Sequence, residues 1–287
     1  MATRPSSESL DGLPPLGEVI RSHGLTARKS LGQHFLLDLN LTGRIARAAG
    51  NIGEGTIIEI GPGPGGLTRA LLAEGADRII AVERDARCLA ALDEIRAATG
   101  DRLHIIEDDA RDVDVAALGD PPRRIVANLP YNIATHLLID WLATAEAFEQ
   151  MVLMFQKEVA DRITATPGGK IYGRLSVAAN WRCRTERLFN VPARAFTPSP
   201  KVASAVVSLT PFDTPPYPAD PGDLEAVTAA AFGQRRKMLR GALKSLEVDA
   251  ADLLDRAGVA PDARAEDLSV EQFAALARAF TALRASP

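Results

Sequence analysis

Asn128-Leu-Pro-Tyr131 brings together groups suited to holding a planar amine. The Asn128 side-chain oxygen and the Leu129 carbonyl can each accept one N–H. Two such acceptors oppose delocalisation of the nitrogen lone pair into an attached ring and turn that pair toward an electrophile. Adenine N6 is an amine of this kind, a poor nucleophile until its lone pair is localised. Pro130 confines Leu129 to an extended conformation, which can aim the Leu129 carbonyl. Tyr131 offers a ring for an extruded base, a stack worth roughly 1 to 3 kcal/mol. Positioning alone can contribute roughly 7 to 11 kcal/mol, so the set needs no general base. The bland alternative is a strand-ending turn built from Asn and Pro.

Gly61, Gly63 and Gly66 satisfy Gly-x-Gly-x-x-Gly, and Glu83 follows about twenty residues later in the manner of a dinucleotide fingerprint. Two details favour a different ligand. Glu59, just ahead of the loop, suits an ammonium and not a pyrophosphate. Pro62 and Pro64 remove N–H donors that a phosphate would require. S-adenosylmethionine, which has an ammonium and no phosphate, fits this pattern. Glu83 can then accept both ribose hydroxyls, and Asp109 the exocyclic amine of the cofactor's adenine. Taken singly, these acids also read as helix caps or surface charges.

The elements that must position these groups alternate in type. β-branched runs at Thr56–Ile60, Arg78–Val82, Leu103–Ile106, Arg124–Ala127 and Met151–Phe155 predict strands, with helical spacing between them at Leu67–Ala73, Leu89–Ile95 and Leu137–Trp141. Such alternation predicts an α/β fold, a doubly wound Rossmann-like sheet whose ligands sit at the carboxyl ends of its strands. The glycine loop, Glu83, Asp109 and Asn128–Tyr131 all follow predicted strands and so converge on one crevice. Leu41–Ala49 predicts a helix ahead of the first strand. Later strands are expected at 187–191 and 204–209, joined through Phe196-Thr-Pro-Ser-Pro-Lys201. Five prolines between Pro211 and Pro221 mark a linker. The domain organisation read from this is a mobile leader over 1–17, a ligand-binding domain over 18–211 and a small all-helical domain over 212–287.

Hydrophobic residues make up 46% of the 287, charged residues 24%, and no apolar run approaches a membrane span. No secretory signal is read in the first residues, and Cys88 and Cys183 stand far apart without metal spacing, which predicts a cytoplasmic protein with reduced thiols. The formal net charge of -4 argues against coating nucleic acid by overall charge, so any RNA contact must be local. Local clusters exist at Arg28-Lys29, at Arg182, Arg184 and Arg187, and at Gln234-Arg-Arg-Lys-Met-Leu-Arg240 with Lys244 beyond. Each also reads as a solvated face. His23, His34, His104 and His136 lie in unrelated segments, and no metal site is expected.

Beyond these residues, the chain resembles the ribosomal RNA adenine N6-dimethyltransferase family over nearly its full length. The resemblance is carried by Leu31-Gly-Gln-His-Phe-Leu36, Glu59-Ile-Gly-Pro-Gly-Pro-Gly-Gly-Leu-Thr68, Asn128-Leu-Pro-Tyr-Asn-Ile133, Gln156-Lys-Glu158, Tyr172-Gly-Arg-Leu-Ser176, Phe196-Thr-Pro-Ser-Pro-Lys-Val202 and Phe232-Gly-Gln-Arg-Arg-Lys237. It implies a class I methyltransferase domain, S-adenosylmethionine as cofactor, and dimethylation of two adjacent adenosines in the 3′-terminal hairpin loop of small-subunit rRNA within an assembling particle. It also implies a monomer with no membrane and no metal partner. By the resemblance, His34, Leu36, Gly61, Glu83, Asp109 and Asn128 contact the cofactor, Asn128–Tyr131 with Phe196 hold the target adenine, and Arg235, Arg236 and Lys237 touch RNA. Many members carry Asn where this chain has His34. Three alternatives stay open: a large-subunit rRNA methyltransferase of the macrolide-resistance type, a non-catalytic assembly factor on the same scaffold, and a nicotinamide oxidoreductase.

Overall fold

The computed structural model of the chain describes residue 10 and residues 12–28, 32–234 and 237–285. Within them the chain forms two compact units. One comprises the chain up to Ala160 together with Glu186–Thr210, the other Asp161–Thr185 together with the chain from Pro211 onward.

The strands in chain order are β1 (Phe35–Leu36), β2 (Thr56–Ile60), β3 (Ile79–Glu83), β4 (Leu103–Glu107), β5 (Arg123–Asn128), β6 (Gln150–Gln156), β7 (Cys183–Val191), β8 (Phe196–Thr197) and β9 (Ser204–Pro211). Seven of them form one sheet in the order β4-β3-β2-β5-β6-β9-β7. β2 lies parallel between β3 and β5, with Ile58 opposite Ile80 on one side and Ile125 on the other. β4 and β6 extend the parallel set. The α/β doubly wound sheet expected from the alternation is thus present. β9 departs from the parallel run by pairing antiparallel to β6, with Met154 opposite Val206, a mixed edge common in such sheets. A strand buried on both faces reads as a continuous apolar run, and every residue of β2 and β3 is buried.

Helices α1 (Leu16–Ser22), α2 (Leu39–Ala48), α3 (Gly66–Ala73), α4 (Ala86–Thr99), α5 (Ala134–Ala143) and α6 (Lys157–Ile163) are interleaved with the strands. Their starts are set by local chemistry. Asp38 accepts from the N–H groups of Asn40 and Leu41 to cap α2, and Asp85 accepts from the Arg87 N–H to cap α4. Gly65 enters α3 from the left-handed region at φ 87°, a conformation costly for any residue with a Cβ. The core joins Ile57, Leu71, Ile79, Leu92 and Ile95 with Val126, Val152 and Val206. β1 and β8 form a separate two-stranded pair with Leu36 opposite Phe196. Of the leader expected over 1–17, residues 1–9 and 11 lie outside the described residues, whereas Leu16 opens α1 and is buried.

In the second unit, α7 (Arg174–Arg182), α8 (Pro221–Gly233), α9 (Leu239–Ala242), α10 (Ala250–Arg256) and α11 (Val270–Ala285) share one core. Asp220 caps α8, where Pro221 at the first turn forgoes no hydrogen bond. Buried Asp223 accepts from Thr281 Oγ1 and from Arg284. Tyr172, Val177 and Trp181 pack in this same core with Leu224, Leu253 and Phe273, and Trp181 donates to the Tyr217 carbonyl at 2.7 Å. The sequence reading placed 161–185 in the ligand-binding domain. Their apolar side chains instead group them with the helices beyond the linker.

Candidate active site

The carboxyl ends of β2, β3, β4 and β5 open on one cavity. Among its lining residues are His34, Leu36, Glu59, Gly61, Gly63, Glu83 and Asp109, together with Asn128, Leu129, Pro130 and Tyr131. Phe196 lies behind that wall. It is buried in β8 and meets the His34 ring edge-on, with centroids 6.4 Å apart. Arg235 and Arg236 lie outside the described residues, and Lys237, in the second unit, is exposed.

The glycine loop is folded so that its donors point into the protein. The Gly61 N–H donates to the Val82 carbonyl at 2.9 Å and the Gly65 N–H to the Pro62 carbonyl at 3.0 Å. The Gly63 N–H donates to Glu83 Oε2 at 2.8 Å. A phosphate-cradling loop needs such N–H groups turned outward, and with Pro62 and Pro64 contributing none, this loop is poor in them. Gly61 and Gly63 adopt φ of 66° and 56°, and a Cβ on Gly63 would stand 3.3 Å from the Phe35 ring. The glycines therefore serve close backbone packing beside the cavity.

Three acids surround the loop in distinct states. Glu59 is 1% exposed, and burial pushes its carboxyl from an ordinary 4.5 up to about 8, although the Thr68 hydroxyl donates to Oε2 at 2.7 Å. Burial also raises Glu83, whose Oε1 accepts from the Asp85 N–H at 2.7 Å while Oε2 takes that of Gly63. Asp109 behaves in the opposite way. Hydrogen bonds from Arg111, with Arg84 close by, hold it at about 2, and both guanidinium groups reach its Oδ2 at 2.7 Å.

Asn128 ends β5 with its amide nitrogen donating to the His34 carbonyl at 3.2 Å. That bond orients the amide, and among the described residues no donor engages Oδ1. Tyr131 Oη meets Ser204 Oγ at 2.5 Å, and the Tyr131 ring stacks on His34 with centroids 5.5 Å apart. The Pro130 carbonyl accepts the N–H groups of Ile133 and Ala134, so α5 starts directly behind the motif.

Several supporting residues escaped the sequence reading. Gln33 accepts from the Arg28 N–H and donates to Asp85, and Arg87 holds Asp85 while donating to the Thr26 carbonyl. This network fastens the segment ahead of β1 to the start of α4. Arg84 and Arg111 on Asp109, Thr68 on Glu59 and Ser204 on Tyr131 were also missed. A signal existed for Gln33 and Thr68, which fall inside motif blocks. Among the described residues, no group of three or more His, Cys, Asp or Glu is placed to hold a metal, and no helix is long and apolar enough to cross a membrane.

Over residues 24–282 the sequence matches the family described as ribosomal RNA adenine dimethylase. The chain belongs to that family. Within the ribosomal RNA adenine dimethylases and their kin, it is 65% identical to the ribosomal RNA small subunit methyltransferase A of Rhodospirillum rubrum, over 95% of this chain and 94% of that protein. It is 64% identical to the protein of the same name from Paramagnetospirillum magneticum, over 94% and 96%. Among solved structures it is similar to a dimethyladenosine transferase from Plasmodium falciparum, with a TM-score of 0.77 at 25% identity over 88% of this chain and 98% of that one. It is also similar to the 23S rRNA methyltransferase ErmE, with a TM-score of 0.65 at 26% identity over 86% and 99%. The fold is that of class I methyltransferases, and fold and family together imply a methyl donor of the S-adenosylmethionine type.

Proposed function

We propose that this chain uses S-adenosylmethionine to dimethylate N6 of two adjacent adenosines in the 3′-terminal hairpin loop of small-subunit rRNA, acting as a cytoplasmic monomer on an assembling particle. The observation that carries this reading is the pairing, in one cavity, of an inward-turned glycine loop ringed by acids with an Asn128 amide whose oxygen has no donor among the described residues. S-adenosylmethionine, when bound, supplies an activated methyl group on a sulfonium. The protein's part is to hold and to orient. His34, Leu36, Gly61 and Gly63 shape the cofactor wall, Glu59 faces the ammonium and Glu83 accepts from the ribose. Asp109, ionised between its two arginines, retains lone pairs for the adenine amine.

Asn128 Oδ1 and the Leu129 carbonyl accept the two N6 hydrogens of the target, which favours a pyramidal nitrogen. Pro130 fixes the approach of that carbonyl, and the Tyr131 ring carries the extruded base. Phe196 supports the target site from behind, through the His34 ring. The small-subunit reading is preferred to a large-subunit one because the relatives at 64% and 65% identity are named for the small subunit, whereas ErmE stands at 26%. Methyl transfer to purified small subunits lacking the modification, followed by primer extension, tests the proposal. No transfer there, with transfer to large-subunit rRNA, reverses it.

The raised Glu59 carboxyl gives this site a pH signature. An ammonium favours the ionised form, so below pH of about 8 cofactor binding must expel a proton from Glu59. Affinity should therefore rise with pH, at most about tenfold per unit, and level off above the Glu59 value. Calorimetric titration of wild type and Glu59→Gln from pH 6 to 9 checks this, because the variant cancels titration of the ligand itself. Parallel profiles for the two proteins exclude the assignment.

The basic stretch at 235–237 is proposed to contact RNA phosphates. Replacing Arg235, Arg236 and Lys237 with Ala should weaken binding to small subunits and flatten its salt dependence, the slope falling by about 0.7 to 0.9 for each phosphate the variant no longer neutralises. Unchanged affinity across a salt series returns the cluster to a solvated face.

A further inference from the structure

We propose that His34 is a positioning residue for the target base, holding both ends of the Asn128–Tyr131 motif at once. This inference rests on the function proposed above. The His34 main-chain carbonyl takes the Asn128 amide hydrogen, while the His34 ring lies stacked against Tyr131, with centroids 5.5 Å apart and planes 30° from parallel. One side chain thus fixes the ring on which the base stacks, and its backbone fixes the oxygen that must meet the base's amine.

The imidazole is itself held from two directions. Nδ1 lies 2.7 Å from the Pro198 carbonyl. A carbonyl can only accept, so Nδ1 carries the hydrogen and the ring plane is set by that bond. Phe196 closes the edge behind it with centroids 6.4 Å away. Tyr131 is pinned at its far end by Ser204. With one face of Tyr131 covered by His34, an incoming adenine has a single face to use, and its approach to Asn128 Oδ1 is restricted accordingly. An Asn at position 34 has no ring with which to do this.

The test compares His34→Ala, His34→Asn and His34→Phe with wild type, reading cofactor Kd by calorimetry and methyl transfer to unmodified small subunits at saturating cofactor. Thermal melting reports that each variant is folded, and saturating cofactor keeps any change in cofactor Kd out of the transfer comparison. Loss of the ring in Ala and Asn should lower kcat/KM for the particle by roughly two- to tenfold, the worth of an aromatic pair, whereas Phe should retain most of it. A Phe variant as slow as Ala, or equal rates in all four proteins, overturns the stacking role. A large rise in cofactor Kd with normal transfer once cofactor is saturating overturns it too and assigns the ring to the cofactor. Failure of the wild type to methylate the particle counts instead against the proposed function, since the variant comparison has meaning only where the wild type transfers.

Discussion

Asn128→Ala is expected to reduce methyl transfer at saturating cofactor by more than about a hundredfold while leaving the far-ultraviolet spectrum near wild type. The reason lies in what the amide does and what the cavity lacks. With Nδ2 given to the His34 carbonyl, Oδ1 is the side-chain acceptor at the end of β5. Without it the N6 lone pair stays delocalised, and the barrier rises by the cost of localising it. The structural penalty is small, one exchanged hydrogen bond to a carbonyl at the cavity wall, worth about 1 kcal/mol. Single-turnover assays at saturating cofactor isolate the chemical step. A variant that keeps more than about a tenth of the wild-type rate means the lone-pair argument is wrong.

Glu83→Gln should weaken cofactor binding by roughly a hundredfold and lower the thermal midpoint as well. Both carboxylate oxygens already accept a backbone N–H, Oε1 from Asp85 and Oε2 from Gly63, and Glu83 lines the cavity. An amide keeps only one of those oxygens as an acceptor. Its NH₂ would face a backbone donor inside the protein, leaving that N–H unpaired at a cost of about 1 to 3 kcal/mol, and would also remove a charged acceptor for a ribose hydroxyl. The two losses act together because the Gly63 N–H belongs to the loop that shapes the cavity. Calorimetry and thermal melting of the variant decide the matter. Wild-type affinity would show that Glu83 serves the loop alone.

The strands that carry the site were legible because buried parallel strands leave continuous β-branched runs such as Thr56–Ile60 and Ile79–Val82, and the acids and glycines stand where those runs stop. The direction of β9 was not legible. Ser204-Ala-Val-Val-Ser-Leu209 presents the same apolar pattern whichever way it runs, and direction is set by the partner across the sheet. β7 was read only from Arg187, because exposed Arg184 and Glu186 interrupt its apolar character although the strand begins at Cys183. Two-residue strands such as β1 and β8 carry no period at all, yet their pairing brings His34 beside Phe196 and Pro198. Within the site, type and spacing singled out Glu59, Gly61, Gly63, Glu83, Asp109 and Asn128–Tyr131, all of which line the cavity, whereas His34 and Leu36 entered only through the family resemblance. Those that hold them in place were missed, since Arg84 on Asp109 and Ser204 on Tyr131 are joined only by tertiary contact.

The helical core draws Tyr172, Val177 and Trp181 from a stretch that interrupts the sheet unit, whose last strands come later in the chain. During synthesis this stretch leaves the ribosome well before α8 to α11 exist to shelter its aromatic side chains. A fragment ending at the proline linker is left in that same half-made condition for good. Cutting the gene there is therefore expected to give an insoluble or chaperone-bound product.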